Sequence, residues 1–70
     1  MSETIRVRLN GDTREIARGR SVQALLGDLG LHARLVVVEH NREILDRGSL
    51  EQVEVRDGDT LEVVHFVGGG

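Results

Sequence analysis

A single helical stripe constrains this chain more than anything else in its sequence. Val22, Leu25, Leu26 and Leu29 recur at i, i+3, i+4 and i+7. The segments on either side alternate with a period of two or run β-branched. One short amphipathic helix must bury its apolar face on something, and the partner on offer is a sheet built from those flanking strands. Ser21 stands where an N-cap hydroxyl accepts from a free amide one turn in. Gly30 stands where a left-handed C-terminal residue is wanted, with Leu31 behind it to pack on Leu26 as in a Schellman ending. Gly27, on the polar side of the helix, costs about 1 kcal/mol relative to alanine.

Ile5, Val7 and Leu9 alternate with Arg6, Arg8 and Asn10, which predicts a strand with one face in the core. Asn10-Gly11 is the strongest short hairpin signal a sequence offers. The return strand runs from about Thr13 to Ala17 with Ile16 inward, and Arg18-Gly19-Arg20 closes the pair. Leu35-Val36-Val37-Val38 is the run expected of a strand covered on both faces or lying near the middle of a sheet. His40-Asn41-Arg42 then reads as a turn, Glu43-Ile44-Leu45 as a short strand, and Asp46 to Gln52 as an irregular stretch with Leu50 inward. Asp57-Gly58-Asp59 is a second clear turn that launches a last strand, Thr60 to Val67, expected to insert beside the first. The expected class is α+β, a mixed sheet of four to five strands covered on one face by a single main helix.

Composition removes several functions. Seventy residues make one small domain, which buries only roughly 60% of the surface its unfolded form exposes. The balance of 39% apolar and 30% charged residues is that of a soluble globular protein. Phe66 is the lone aromatic, so there is no stacking platform for single-stranded nucleic acid, and a net charge of -3 opposes phosphate backbones. Without cysteine there is no disulfide, thiolate metal site or nucleophilic sulfur, so any sulfur chemistry depends on an atom delivered by another molecule. His32, His40 and His65 lack metal-ligand spacing, and Asp57-Gly58-Asp59 lacks the remaining positions of a calcium loop, so no metal is expected. No nucleophilic triad can be argued, and the glycine run lacks the Lys-Ser/Thr and helix of a phosphate loop. The chain does not read as an enzyme. Met1-Ser2-Glu3-Thr4 leads straight into a strand pattern with neither signal segment nor spanning helix, so a cytoplasmic location and no membrane partner are expected.

What remains is the end of the chain. Gly68, Gly69 and Gly70 add nothing to a core and lose more backbone entropy on ordering than other residues. The expected organisation is therefore a folded domain over 1–67 and a flexible glycine tail over 68–70. A frayed terminus is one reading of that tail; the other is a side-chain-free strand that threads a narrow slot in a partner and brings the Gly70 carboxylate to it. That carboxylate has a reference pKa of about 3.3–3.7, so it is ionised and a poor electrophile until activated, most economically as an acyl adenylate made from ATP by the partner's catalytic groups. In the last strand, Leu61 and Val63 fall on one face and Glu62, Val64 and Phe66 on the other. Val64 and Phe66 are thus candidates for a docking patch beside the tail, unless the strand end twists Phe66 inward. All nine basic residues are arginine. Composition bias accounts for that by itself; a second reading is that a lysine amine, with a pKa near ~10.4, is a hazard beside an activated carboxyl that guanidinium is not.

The ending Asp57-Gly58-Asp59-Thr60-Leu61-Glu62-Val63-Val64-His65-Phe66-Val67-Gly68-Gly69-Gly70 resembles that of the ThiS sulfur carriers of thiamine biosynthesis. Leu9-Asn10-Gly11 and the helix from Ser21 through Leu29-Gly30-Leu31 fit the same family. The resemblance implies a ubiquitin-like β-grasp fold, adenylation of the terminal glycine by a ThiF-type enzyme, conversion to a thiocarboxylate by a sulfur donor system, and sulfur donation to a ThiG-type thiazole synthase. Carried onto this sequence, Gly70 is the modified residue, Gly68 and Gly69 complete the threaded tail, and no cofactor is bound, ATP being used by the partner. No residue follows Gly70, so maturation by a protease is not expected. One departure is Asn41-Arg42 where the family commonly has Asn-Gly, because arginine accepts a positive φ less readily than glycine. A related carrier for molybdopterin or cysteine synthesis, a ubiquitin-like modifier that forms an isopeptide bond, and a small binding domain with an inert tail are the competing readings.

Overall fold

The computed structural model describes residues 3–66. Its elements run β1 (Thr4–Leu9), β2 (Asp12–Ala17), α1 (Val22–Asp28), β3 (Val36–His40), β4 (Glu43–Ile44) and β5 (Thr60–His65), with 3-10 turns over Ala33–Leu35 and Arg47–Ser49. The sheet order is β2-β1-β5-β3-β4, so the last strand occupies the centre. β5 lies parallel to β1 and antiparallel to β3, which makes the sheet mixed.

The alternation in β1 buries Ile5, Val7 and Leu9. Asn10 and Gly11, with φ of 50° and 87°, turn the chain as a type I′ hairpin that pairs Leu9 with Asp12. Helix α1 lays Val22, Leu25 and Leu26 on the inner face of the sheet. Its ends close as expected. The Ser21 hydroxyl accepts from the Ala24 N–H at 3.0 Å, and the Val22 and Gln23 N–H groups donate to the carbonyls of Val53 and Leu50, so the open donors of the first turn are satisfied. At the other end Gly30, at φ 76°, donates to the Gly27 carbonyl and Leu31 to that of Leu26, the two bonds of a Schellman ending.

The run 35–38 differs from its expectation. Leu35 belongs to the 3-10 turn and is 45% exposed, and β3 begins at Val36. Val36 and Val38 are buried while Val37 is half-buried, because one helix covers one face only and the sheet's other face has no second layer among the described residues. β3 nevertheless has a neighbour on each side, β5 and β4, which is where its β-branched run gains. Leu50 and Val55, from the connection between β4 and β5, complete the core.

Candidate functional site

β5 is the element that leads into the tail, and three features hold it. Its β3 side is paired from His40↔Leu61 to Val36↔His65, and the Phe66 N–H extends that ladder to the Leu35 carbonyl at 2.8 Å. Its start is anchored by Asp59, a buried carboxylate. Burial by itself raises that carboxyl's pKa, but the Arg56 N–H at 2.8 Å, the His40 ring Nε2 at 2.7 Å and the Asn41 amide at 3.1 Å outweigh it and hold Asp59 below its ordinary value. The turn 57–59 that launches β5 is also docked on β1, since the Arg6 N–H donates to the Asp57 carboxylate and the Gly58 N–H to the Arg6 carbonyl.

The register so fixed sets the direction of the side chains. Leu61 is buried and Val63 packs on the core, which sends Glu62 and Val64 to the uncovered face. Val64 is 60% exposed. It lies opposite Val37 of β3, and Ile44, 71% exposed, shares that face from β4. Phe66, at 45%, is not folded into the core. Its ring lies under the Arg47 guanidinium, 5.8 Å from the centroid, a cation–π contact that leaves the ring open to a partner. On the same outer face Arg8 of β1 lies beside Thr60 at the start of β5, and Glu39 lies opposite Glu62 in the rung between Thr60 and the Val37–Val64 pair.

Of the site residues read from the sequence, the fold places Val64 and Phe66 on the exposed side of the strand end. Gly68, Gly69 and Gly70 lie outside the described residues. Leu35 and Ile44 were not anticipated as exposed apolar groups. The unbroken run Leu35-Val36-Val37-Val38 carries no alternation that would mark Leu35, and only the pairing of strands places Leu35 beside Phe66 and Ile44 opposite Glu39, one strand removed from β5. Among the described residues, no group of three or more acidic, histidine or cysteine side chains could hold a metal ion, and no helix is long and apolar enough to cross a membrane.

With this geometry in hand, similarity to known proteins decides the family. The sequence profile of the ThiS family matches residues 7–70, from the first strand through the last glycine. The chain belongs to the ThiS family. It is 44% identical over 50 residues to the sulfur carrier protein ThiS of Bacillus subtilis, covering 71% of this chain and 76% of that protein. The crystal structure of the thiamine biosynthesis protein ThiS from Geobacter metallireducens superposes with a TM-score of 0.81 at 35% identity, covering 94% of this chain and all of that one. The ubiquitin-like β-grasp fold expected of a ThiS-family chain is therefore the fold observed, with the five-stranded mixed sheet and the single helix. The thiazole synthase of Paramagnetospirillum magneticum is 50% identical over 62 residues, which span 89% of this chain but 19% of that protein. This ThiS-family chain thus covers about a fifth of the length of the thiazole synthases that it matches, the second being that of Magnetococcus marinus at 20%.

Proposed function

We propose that this chain is a sulfur carrier of thiamine biosynthesis and that its working group is the carboxylate of Gly70. The observation that carries the reading is the match of the ThiS family across residues 7–70, tail included, in a chain without cysteine. An ionised carboxylate resists substitution, so a ThiF-type enzyme would join one of its oxygens to the α-phosphorus of ATP with loss of pyrophosphate. A sulfur nucleophile from a donor system would then displace AMP, and the net change is one carboxyl oxygen replaced by sulfur. The thiocarboxylate would be presented to thiazole synthase, on this reading in the cytoplasm. That partner is supported by the two thiazole synthases in which a segment similar to nearly the whole of this chain is part of a longer protein. Linking a carrier to its acceptor raises the local concentration of one around the other.

Glycine suits the delivery step because a backbone without side chains fits a narrow channel and lets the channel's own backbone approach. Val64 and Phe66, with Val37 opposite Val64 and Ile44 farther along the same face on β4, would dock on the partner while the tail reaches its catalytic centre. Every bond-making group belongs to the partner, so the chain acts as co-substrate and binds no cofactor of its own.

The test is intact-mass measurement after incubation with ATP, a ThiF-type enzyme and a sulfur source. A gain of about 16 Da, one oxygen exchanged for sulfur, is expected, and fragmentation should place it at Gly70. An unchanged mass leaves the inert-tail reading. Conjugates at lysines of other proteins mark a modifier instead, and rescue of a thiazole auxotroph separates thiamine supply from molybdopterin or cysteine supply.

A further inference from the structure

β5 is clasped from both sides by asparagines that stand in the left-handed region at hairpin turns. On the β3 side, Asn41 (φ 50°) donates its N–H to the Thr60 carbonyl at 2.8 Å and accepts the Thr60 N–H on Oδ1 at 2.9 Å. On the β1 side, Asn10 (φ 50°) donates its N–H to the Leu61 carbonyl at 2.9 Å and accepts the Val63 N–H on Oδ1 at 2.8 Å, while its Nδ2 donates to the Val63 carbonyl at 3.3 Å. Each asparagine sits where a strand has ended and extends its ladder by a side-chain rung.

The two ends differ in what would otherwise hold the strand. At Thr60, β5 has both neighbours. Beyond Leu61, backbone pairing with β1 has stopped, at Leu9↔Leu61, while β5 runs on to His65 with β3 alone. On the β1 side of that stretch, where strand pairing has ended, the Asn10 amide holds the Val63 N–H and carbonyl. A type I′ turn accepts Asp or Gly at this position as readily as Asn. Of these, Asn alone offers both a donor and an acceptor, which is what the Val63 N–H and carbonyl together require. The bonds are exposed, so their contribution to global stability is small.

We infer that Asn10 is a positioning residue for the delivery of the chain's end to a partner: its amide supplies the rung that β1 no longer reaches and so holds the course of β5 from Val63 to Phe66. The inference rests on the reading of the tail as the delivered group. A strand end held on one side only samples more orientations, and a partner must then select the productive one, which lowers apparent affinity by the unproductive fraction. Once seated, the tail is held by the partner, so turnover at saturation is unaffected.

The variants are Asn10→Gly, which keeps the turn and removes both side-chain bonds, and Asn10→Asp, which keeps the acceptor for the Val63 N–H and loses the donor. In the free chain, amide exchange of Phe66 should quicken several-fold in Asn10→Gly, while exchange of Ile5 and Val7 in β1 stays as in the native chain. In ATP–pyrophosphate exchange with a ThiF-type enzyme, KM for the chain should rise about three- to tenfold at unchanged kcat, the scale of one or two net hydrogen bonds. Asn10→Asp should fall between. Unchanged Phe66 exchange, unchanged KM, or a fall in kcat alone each overturns the inference. Should the native chain support no pyrophosphate exchange at all, the carrier reading fails, while the Phe66 exchange result still decides whether Asn10 holds the strand end.

Discussion

Val64→Asp separates folding from docking on the outer face. Val64 is 60% exposed, so it contributes less than half of its surface to the fold. Full burial of an aliphatic side chain of this kind is worth about 1.5–3 kcal/mol, and the share retained here is therefore about 1 kcal/mol or less. Aspartate adds up to about 1 kcal/mol of lost strand preference. The sum, about 1–2 kcal/mol, should lower Tm by about 4–8 °C for each kcal/mol in a domain of this size and leave the chain folded at 25 °C. At a docked interface the change is larger, because the new carboxylate is desolvated opposite Val37, one rung from the Glu39–Glu62 pair, and the apolar contact is lost as well. Affinity for a ThiF-type enzyme should fall by about a hundredfold or more, measured by calorimetric titration beside a thermal scan of the same sample. The same charge at Gln23, exposed on the helix on the opposite side of the sheet, should leave affinity as it was. If the folded Val64→Asp chain binds within about threefold of the native one, the outer face is not where the partner docks.

Phe66→Ala should cost about 1–2 kcal/mol of stability, since the ring is about half-exposed and meets Arg47; a loss beyond about 3 kcal/mol in denaturant unfolding would make it a core residue. Asp59→Asn should destabilise the chain by about 2–3 kcal/mol at neutral pH, because a carboxylate bound to the Arg56 N–H, His40 and Asn41 is replaced by an amide that satisfies them less well. The pH dependence has a definite sign: a carboxyl held below its unfolded value stabilises fully above about pH 3.9 and loses that stabilisation as pH falls through the folded value, so acid unfolding of the native chain should steepen there and that of Asp59→Asn should not. Arg42→Gly should raise stability by about 0.5–1 kcal/mol in a thermal scan, since Arg42 sits at φ 73° in a type I′ turn that glycine occupies without strain.

The elements legible in the sequence are those whose signals are local. The signals for the helix, its Ser21 cap and its Gly30-Leu31 ending lie within two turns of one another, and that for the Asn10-Gly11 hairpin in two neighbours, so each can be read in a short window of sequence. The family likeness of the last fourteen residues was equally legible, and the profile match across residues 7–70 bears it out. The Asn41-Arg42 turn stayed open because propensity disfavours arginine at positive φ, and the packing of β3 and β4 overrides it.

Other properties depend on register, which only the assembled sheet supplies. The position of β5 between β1 and β3 turns Val64 and Phe66 outward, brings Ile44 onto the same face and leaves Leu35 exposed at the strand end. The pairing of His40 with Asp59 joins residues 19 apart in sequence, and the Asn10 amide meets Val63 across 53. Hydrogen bonds across such separations form only after the loops between them close, so no window of sequence contains them. The chain's own order thus determined its helix, its turns and the glycine ending; the tertiary structure decided which side chains surround the strand that leads to that ending, because neighbours in a mixed sheet are chosen by pairing rather than by adjacency in sequence.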